Sequence, residues 1–488
     1  MRERRYKKEW PYLIFVIASA IIVSFSCKSF ALLNQVPGPD SSVFQYVANE
    51  IIEGKMPYLD TFDHKGPLLY VINVIGLLIS KSYGLWLIEA LTIVATLIIC
   101  YYIARLCANP ISSVVASVVC ALCLYIYLEA GNLVEEYAMP FIAYALFIYL
   151  IYFKFNKISR WHIFVCGCCF GAVLMLRPNM IAVWIVGCVA VVVNCIMKKK
   201  LKDLPNFICM FVIGSAIVIV PFLIWLGING ALKAFWNVYI VFNMSYKESE
   251  GSLLNFFNVI KCFLVNFWCL LALFSICLSI IKKHSINNFM LLGMYIFSFI
   301  LLGISGRTYY HYVMPLVPIL AYPIAYMIIY ISDFAGKNKR IIEFVISVIF
   351  IIGVVPASFD GMVGSIEDAF FVSDGWEEKY PDIKATVSEI QKHSNRDDKI
   401  TVYGNHDVYY LLSERKSASE YSYQQPIATV DKKIERRYFK EIQENLPRII
   451  VWDNYFSAKN VKKDPMYKFI KKNNYVQSKN VGKIFYHE

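Results

Sequence analysis

Side chains that could transfer protons or bind phosphate are concentrated in the stretch between residues 37 and 70. Asp40 stands near its start, and Asp63, His64 and Lys65 follow in direct succession further along. A carboxylate held at a membrane surface can act as a general base toward a hydroxyl group. Asp40 is therefore the candidate catalytic residue. Its alternative role is to cap the helix that follows, because Asp is a common N-cap residue.

Asp63 and His64 could position hydroxyl groups of a substrate or bind a divalent cation. One Asp-His pair is weak evidence for a metal, because zinc sites take three or four protein ligands. The densest cysteine group, which is Cys166, Cys168 and Cys169, lacks the spacing of zinc ligands. We therefore predict no metal site and no certain cofactor. A divalent cation stays open as a possible cofactor.

Three further polar clusters lie between later apolar segments. They are the pair Glu135 and Glu136, the turn Arg177-Pro178-Asn179, and residues 306–312 with Arg307, Tyr310 and His311. Exposed glutamates are ordinarily solvated, an arginine beside a membrane can extend to lipid headgroups, and tyrosine and histidine often anchor a chain at the interface. Each cluster can therefore be explained by a structural role alone. A location on the same face of the membrane would favour a role in one functional site.

The elements that must position these residues are mostly membrane helices. The chain has 488 residues, of which 58% are hydrophobic and 17% charged, and this composition is typical of a polytopic α-helical membrane protein. Its net charge of +12 is spread over short basic clusters between apolar segments, which argues against nucleic-acid binding. The cysteines all precede residue 278, within or beside these segments, so no disulfide framework is predicted.

Eleven apolar segments approach the length needed to span a bilayer. They are residues 11–33, 84–106, 110–128, 138–153, 161–176, 179–197, 206–227, 255–281, 288–304, 311–331 and 341–357. The basic clusters between them then fall on one side, which predicts a plasma-membrane protein with a cytoplasmic N-terminus and an extracytoplasmic C-terminal region. All the polar clusters described above share the external face.

This topology depends on segment 67–80, which is apolar but short. We predict a half-buried helix at the membrane surface, because a crossing here would invert every later segment and violate the positive-inside rule. The first external loop, residues 34–83, would then hold two interfacial helices. One of them is predicted between Ser41 and Glu53, where apolar residues recur at helical spacing.

The C-terminal region alternates patterns typical of helices and strands. An amphipathic helix is predicted at PDIKATVSEIQKH, and strands are predicted at KITVYGN, PRIIVWDN and VGKIFYHE. The sequence thus predicts two domains, a membrane domain over residues 1–357 and a small extracytoplasmic α/β domain over residues 358–488. His406 and Asp407 could form part of a site, but turns after strands favour polar residues anyway.

Several short stretches, taken in order, resemble the GT-C superfamily of membrane glycosyltransferases. They are Asp40 with its following helix, DHKGPLLY, NLVEEY, LRPN and GRTYYHYVMPLVP. The chain is similar in particular to the branch of bacterial protein mannosyltransferases and aminoarabinose transferases, which is glycosyltransferase family 39-like. The resemblance covers roughly residues 1–357 and rests on the order of the stretches and their common external location.

This resemblance implies transfer of a sugar, with inversion, from a polyprenyl-phosphate donor to an extracytoplasmic glycan, lipid or protein. It assigns the general base to Asp40 and a second, substrate-orienting acidic residue to Glu135. A departing lipid phosphate needs cationic partners, and three basic residues are available outside: Lys65, Arg177 and Arg307. The predicted substrate-binding residues are Asp63, His64, Glu136, Tyr310 and His311.

Two other functions compete with this interpretation. A polysaccharide or lipid transporter should carry charged residues near the bilayer midplane, whereas here most lie at one surface. A polysaccharide polymerase or ligase would use a diphosphate-linked donor and have a large late external loop, whereas the longest external loop predicted here is the first.

Overall fold

Helices dominate the first 370 residues of the computed structural model. Residues 9–29, 35–245, 252–265, 267–282, 284–303, 309–334, 338–370, 375–425, 427–453, 455 and 461–487 are described. The main helices of this part are α1 (Trp10–Ser24), α2 (Pro39–Ile52), α3 (Pro67–Ile79), α4 (Gly84–Arg105), α5 (Pro110–Tyr127), α6 (Val134–Phe155), α7 (Arg160–Leu176), α8 (Ala182–Met197), α9 (Leu204–Ile228), α10 (Ser252–Leu264), α11 (Phe267–Lys282), α12 (Ile286–Gly303), α13 (Val317–Asp333) and α14 (Lys339–Phe370).

Six helices among the described residues are long and apolar enough to cross a membrane, or seven if a bent pair is one span. They are Gly84–Arg105, Pro110–Tyr127, Val134–Phe155, Leu201–Ile228, Ile286–Gly303 and Tyr310–Asp333, and the pair is Phe256–Leu264 with Phe267–Lys282. The chain is thus a multi-pass membrane protein, as its composition predicts. The count of eleven spans and the orientation of the termini stay predictions.

The apolar helices differ in how much of their surface is buried within the protein, as is expected when some helices face lipid and others pack in the interior. Only 11% of the most apolar window of Leu201–Ile228 is buried within the protein, against 72% in Tyr310–Asp333. Large side chains such as Ile208 and Ile224 are exposed. Exposing them to water would be unfavourable, because transfer of apolar surface out of water stabilises a fold. Such a helix instead suits contact with lipid chains, which its backbone hydrogen bonding permits.

The chain divides into two compact units. Unit 1 contains Met1–Cys27, Trp86–Ile224 and Glu248–Phe371, and unit 2 contains Lys28–Leu85, Trp225–Lys247 and Val372–Glu488. Unit 2 therefore combines the first predicted external loop with the C-terminal region. The predicted boundary after residue 357 stays a prediction.

Unit 2 contains a five-stranded sheet with the order β2-β1-β3-β5-β4. Its strands are β1 (Lys399–Tyr403), β2 (Lys416–Ser417), β3 (Ile449–Trp452), β4 (Val476–Gln477) and β5 (Ile484–Tyr486). Strand β1 pairs in parallel with β2 and β3, and β5 pairs antiparallel with β3 and β4. The accompanying helices are α15 (Pro381–His393), α16 (Val408–Ser413), α17 (Lys432–Asn445) and α18 (Pro465–Lys472).

The three strands predicted from sequence are β1, β3 and β5, and the predicted amphipathic helix is α15. All four residues of β3 are buried, as expected where helices cover both faces of a sheet. The core around the sheet also includes Val36 and Tyr46 from the first loop, beside Val402 and Val451. Helix α2 is thus held by the same core as the strands, and its predicted place at the membrane interface stays a prediction.

Candidate functional site

Asp40 lies in the first turn of α2, in unit 2. The residue at the N-cap position is Gly38, and Pro39 begins the helix without a side-chain capping bond. The alternative role of Asp40 as the N-cap residue is therefore wrong. Its carboxylate is partly exposed and makes no hydrogen bond or ion pair with any described residue. The positive end of the helix dipole favours a negative charge at this position.

Asp63, His64 and Lys65 lie together in unit 2, as their succession in the chain requires. Asp63 is buried, and its carboxylate accepts hydrogen bonds from the hydroxyl of Tyr70 at 2.9 Å and from the hydroxyl of Tyr423 at 2.8 Å. The backbone N–H of His64 donates to the same carboxylate at 2.8 Å. Burial raises the pKa of Asp63, while Lys65 and the two tyrosine hydroxyls lower it. Three donors hold this carboxylate in one orientation.

The loop around this cluster is fixed by its backbone carbonyls. The hydroxyl of Tyr58 donates to the carbonyl of Lys65 at 2.7 Å, and the side-chain amide of Asn243 donates to the carbonyl of His64 at 2.7 Å. Tyr58 has a positive φ of 69°, a conformation that costs a side-chain-bearing residue energy. The partly exposed side chains of His64 and Lys65 are thus presented from a loop with little freedom.

Arg177 and Glu135 form an ion pair in unit 1, in which the side chain of Glu135 is buried and that of Arg177 is partly buried. Glu135 stands in the first turn of α6, and Arg177 follows the last residue of α7. The guanidinium group also lies over the ring of Tyr312, 4.1 Å from its centre. Pro178 opens a short 3-10 turn, Pro178–Met180, and α8 begins only at Ala182. The two predicted residues, Glu135 and Arg177, therefore lie together, and their opposite charges neutralise each other.

Neither Glu135 nor Glu136 is on the surface. Both carboxylates are buried, so the interpretation as an exposed, solvated pair is wrong. The physical reason is that each has a partner: Arg177 neutralises Glu135, while Glu136 accepts from the backbone N–H of Leu133 at 3.5 Å. The side chain of Glu136 also lies 3.9 Å from the thiol of Cys27.

Cys27, Glu89 and Glu136 form a buried group whose ligand atoms all lie within 4.8 Å of one another. Glu89 accepts a hydrogen bond from the backbone N–H of Asn132. A thiol and two carboxylates are a donor set that a divalent metal ion can use. Within the described part of the chain, these three residues are the group that could hold a metal ion. No spacing in the sequence predicts it, because its members come from three separate segments.

His311 and Tyr310 lie in a 3-10 segment, Tyr310–Leu316, in unit 1. His311 is buried and lies 3.0 Å from a carboxylate oxygen of Glu129, and its ring stacks on Tyr309 with centres 5.4 Å apart. Tyr310 is exposed. This 3-10 segment thus contributes one buried and one exposed aromatic side chain. Arg307 lies outside the described residues.

The predicted site residues described in the structure therefore divide between the two units. Unit 2 holds Asp40, Asp63, His64 and Lys65, and unit 1 holds Glu135, Glu136, Arg177, Tyr310 and His311. Sequence reasoning missed Tyr70 and Tyr423, whose hydroxyls donate to Asp63. Tyr312, whose ring lies against Arg177, belongs to the predicted turn 306–312. Tyr70 belongs to the stretch DHKGPLLY and could have been proposed, whereas nothing near Tyr423 in the sequence distinguishes it from other buried tyrosines.

Residues 2–343 match the family described as competence-induced protein Ccs4 N-terminal domain. No curated protein matches the chain.

Solved structures with a similar fold are membrane glycosyltransferases. ArnT from Cupriavidus metallidurans bound to undecaprenyl phosphate has a TM-score of 0.60 and 15% identity, over 92% of this chain and 94% of that one. The oligosaccharyltransferase AglB from Archaeoglobus fulgidus, in complex with an inhibitory peptide and a dolichol-phosphate, has a TM-score of 0.55 and 12% identity, over 99% and 74%. The A. fulgidus oligosaccharyltransferase with Zn and sulfate has a TM-score of 0.50 and 12% identity, over 95% and 71%. The GT-C fold predicted from the sequence resemblance is confirmed.

Proposed function

The chain belongs to the family of the competence-induced protein Ccs4 N-terminal domain and has a GT-C fold, and we propose that it is an integral-membrane glycosyltransferase. It transfers a sugar from a polyprenyl-phosphate donor to an extracytoplasmic glycan, lipid or protein. Two similar structures, of ArnT and AglB, contain a polyprenyl-type phosphate. Their likeness extends over more than nine tenths of this chain, which supports the same class of donor.

The observation that carries the proposal is the state of Asp40. Its carboxylate is partly exposed and has no described partner, and a general base needs a carboxylate that is available to a proton donor. Asp40 takes the proton of the acceptor hydroxyl as that oxygen attacks the anomeric carbon. The bond between this carbon and the phosphate oxygen breaks, and the lipid phosphate leaves with the bonding electrons. Attack from the opposite side inverts the anomeric centre.

Cationic groups bind the departing phosphate in this proposal. Lys65 offers an ammonium group on a restrained loop, and Arg177 has a guanidinium group with several donors, of which Glu135 uses part. Guanidinium and ammonium groups make charge-assisted hydrogen bonds to phosphate. Arg307 is the third proposed phosphate ligand. Glu135 acts through Arg177 by fixing its orientation, which supports its assignment as the second acidic residue.

Other predicted polar and aromatic side chains bind the sugar in this proposal. Asp63 and His64 stand beside Lys65 in the chain, and Tyr310 has an exposed ring of the kind on which sugars stack. Glu136 and His311 are buried, so their proposed role in substrate binding is to hold neighbouring groups in place. For a divalent cation, the buried group Cys27, Glu89 and Glu136 has suitable ligand atoms.

The transporter alternative is less well supported. Charged residues along a transport path should lie near the middle of the spans. The buried carboxylates of the described spans instead lie near helix ends: Glu89 is close to the start of α4, and Glu136 is in the first turn of α6. The proposed topology has eleven spans, a cytoplasmic N-terminus and an external C-terminal region, and it would put all proposed site residues outside.

The decisive experiment incubates the purified full chain, in lipid, with a panel of radiolabelled polyprenyl-phosphate sugars. The wild type should consume at least one donor, and Asp40→Asn should lose about 10²-fold or more in rate, because general-base catalysis contributes 10²–10⁴-fold. Asp60→Asn is the matched control, since Asp60 is exposed in the same loop. No donor consumption by the wild type, or equal activity of wild type and Asp40→Asn, would refute the proposal.

A further inference from the structure

Tyr423 connects the C-terminal region with the loop that carries Asp63, His64 and Lys65. Its hydroxyl lies 2.8 Å from Asp63 Oδ1 and 3.1 Å from His64 Nδ1. Tyr423 is buried, and all four residues belong to unit 2. One hydroxyl therefore contacts two successive residues of the proposed site, although 359 residues separate it from His64.

The segment around Tyr423 is held firmly against this loop. The backbone N–H of Phe62 donates to the carbonyl of Glu420 at 2.8 Å, and the rings of Phe62 and Tyr421 pack with centres 5.0 Å apart. The backbone N–H of Gln424 donates to the carbonyl of Gly404, beyond the end of β1, at 3.1 Å. The position of the Tyr423 hydroxyl is thus set by the sheet and by the loop together.

The direction of each hydrogen bond follows from what the groups can donate. Asp63 accepts hydrogen bonds from the hydroxyls of Tyr70 and Tyr423 and from the backbone N–H of His64, each of which has a hydrogen to donate. The single hydroxyl proton of Tyr423 is therefore committed to Asp63. The tyrosine oxygen can then only accept from His64, which requires a proton on Nδ1 of the imidazole.

A proton on Nδ1 determines the behaviour of the other ring nitrogen. In a neutral imidazole Nε2 is then an acceptor. Lys65 Nζ lies 3.3 Å from His64 Nε2, and an ammonium group has donors but no acceptor. The contacts thus form one ordered chain, in which Lys65 donates to His64, His64 donates to Tyr423, and Tyr423 donates to Asp63.

We propose that Tyr423 is a positioning residue, which fixes neutral His64 in the tautomer protonated on Nδ1 so that Nε2 holds the ammonium group of Lys65. The hydroxyl of Tyr423 does this without touching the substrate. The part of the inference that concerns catalysis rests on the proposed function, in which Lys65 binds the donor phosphate. The tautomer itself is a property of the resting protein.

The tautomer can be measured without any activity. We would record ¹⁵N NMR spectra of the full chain with labelled histidine in lipid, and identify the His64 signals among seven histidines by their loss in His64→Gln. The wild type should show a protonated Nδ1 and an unprotonated Nε2 at neutral pH. Protonation on Nε2 alone, or on both nitrogens, would overturn the inference, and this measurement needs no variant of Tyr423.

The role of the hydroxyl is tested with Tyr423→Phe, which keeps the ring. This variant should lose the single-tautomer signal of His64, and its KM for the polyprenyl-phosphate sugar should rise about ten-fold or more with a smaller change in kcat, as loss of a hydrogen bond in a charged network would cause. Tyr421→Phe is the matched control, because Tyr421 is buried in the same segment and packs on Phe62 instead.

The possible outcomes separate the two proposals. An unchanged His64 spectrum in Tyr423→Phe overturns the positioning role, as does a KM equal to that of Tyr421→Phe. If the wild type consumes no donor, the proposed function fails, whereas the NMR result still supports or overturns the hydrogen-bonded chain. A Tyr423→Phe protein that does not fold is recognised by its loss of the signals of the other histidines, and the wild-type tautomer then remains the test.

Discussion

Asp407 predicts an unusual dependence of stability on pH. Its carboxyl group is fully buried, at 0% exposure, and neither oxygen has a hydrogen-bond partner among the described residues. Burial raises the pKa of Asp407 to about 7. The nearby Ser422 hydroxyl, which lies outside hydrogen-bonding geometry, and His406 both lower the pKa of Asp407. The charge of Asp63 raises it further. The folded protein therefore holds this proton at pH values where an unfolded chain has released it.

The sign and the size of the effect follow from this difference. An ordinary Asp has a pKa of about 3.9, so between about pH 4 and pH 7 the native state binds more protons than the unfolded state. Stability is then lost as pH rises through this window and is constant above it. A difference of about three pKa units corresponds to roughly 4 kcal/mol in total, of which roughly 2–3 kcal/mol falls between pH 5 and pH 8.

Hydrogen exchange followed by mass spectrometry would measure this in the full chain. The protection of peptides covering β1 and α16, corrected for the intrinsic effect of pH on exchange, should fall about a hundred-fold from pH 5 to pH 8 in the wild type. Asp407→Asn, which cannot ionise, should remove most of this slope. Asp397→Asn makes the same chemical change at an exposed position and should keep the wild-type slope. A flat wild-type profile, or an Asp407→Asn variant with the wild-type slope, would refute the reasoning.

Two further predictions concern unit 1. Glu135→Gln removes the charge that neutralises Arg177, whose side chain is only 15% exposed, and should destabilise the protein by about 1–3 kcal/mol. The measurement is the thermal midpoint in detergent, which should fall; an unchanged midpoint would mean that the pair contributes nothing. Gly131→Ala should also lower the midpoint, because φ is +74° and a Cβ atom would overlap Glu89 Oε1. Gly54→Ala is its control, since φ is +90° with nothing within 4 Å, and an equal loss in both variants would show that the overlap with Glu89 has no cost.

The helices and the main strands were predictable because their signals are local. Predicted helix boundaries agree with α4, α5 and α7 to within a residue, and PDIKATVSEIQKH is α15 throughout. Strands β2 and β4 have two residues each, which is too short for any alternation to be visible. The predicted span over residues 255–281 contains two helices, α10 and α11, and apolar composition alone does not show where a helix breaks.

The candidate site was predictable in its residues but not in its contacts. Asp63 and Lys65 attract attention because polar residues are rare beside apolar segments, and both lie in one restrained cluster. The burial of Glu135 and Glu136 could not be read from the sequence, because a glutamate at the start of a helix is equally suited to water. The ion pair with Arg177 allows Glu135 to be buried. The sequence around Arg177 does not indicate that pairing.

By itself the sequence determined the class of the protein, the approximate positions of its helices and strands, and the polar residues worth testing. These properties depend on composition and on periodicity over neighbouring residues. Only the tertiary structure decided which charges are neutralised and which stay available. Asp63 is held by Tyr423, Glu135 is paired with Arg177, and Asp40 has no described partner. The sequence could not show this, because such contacts join residues far apart in the chain and leave no local pattern.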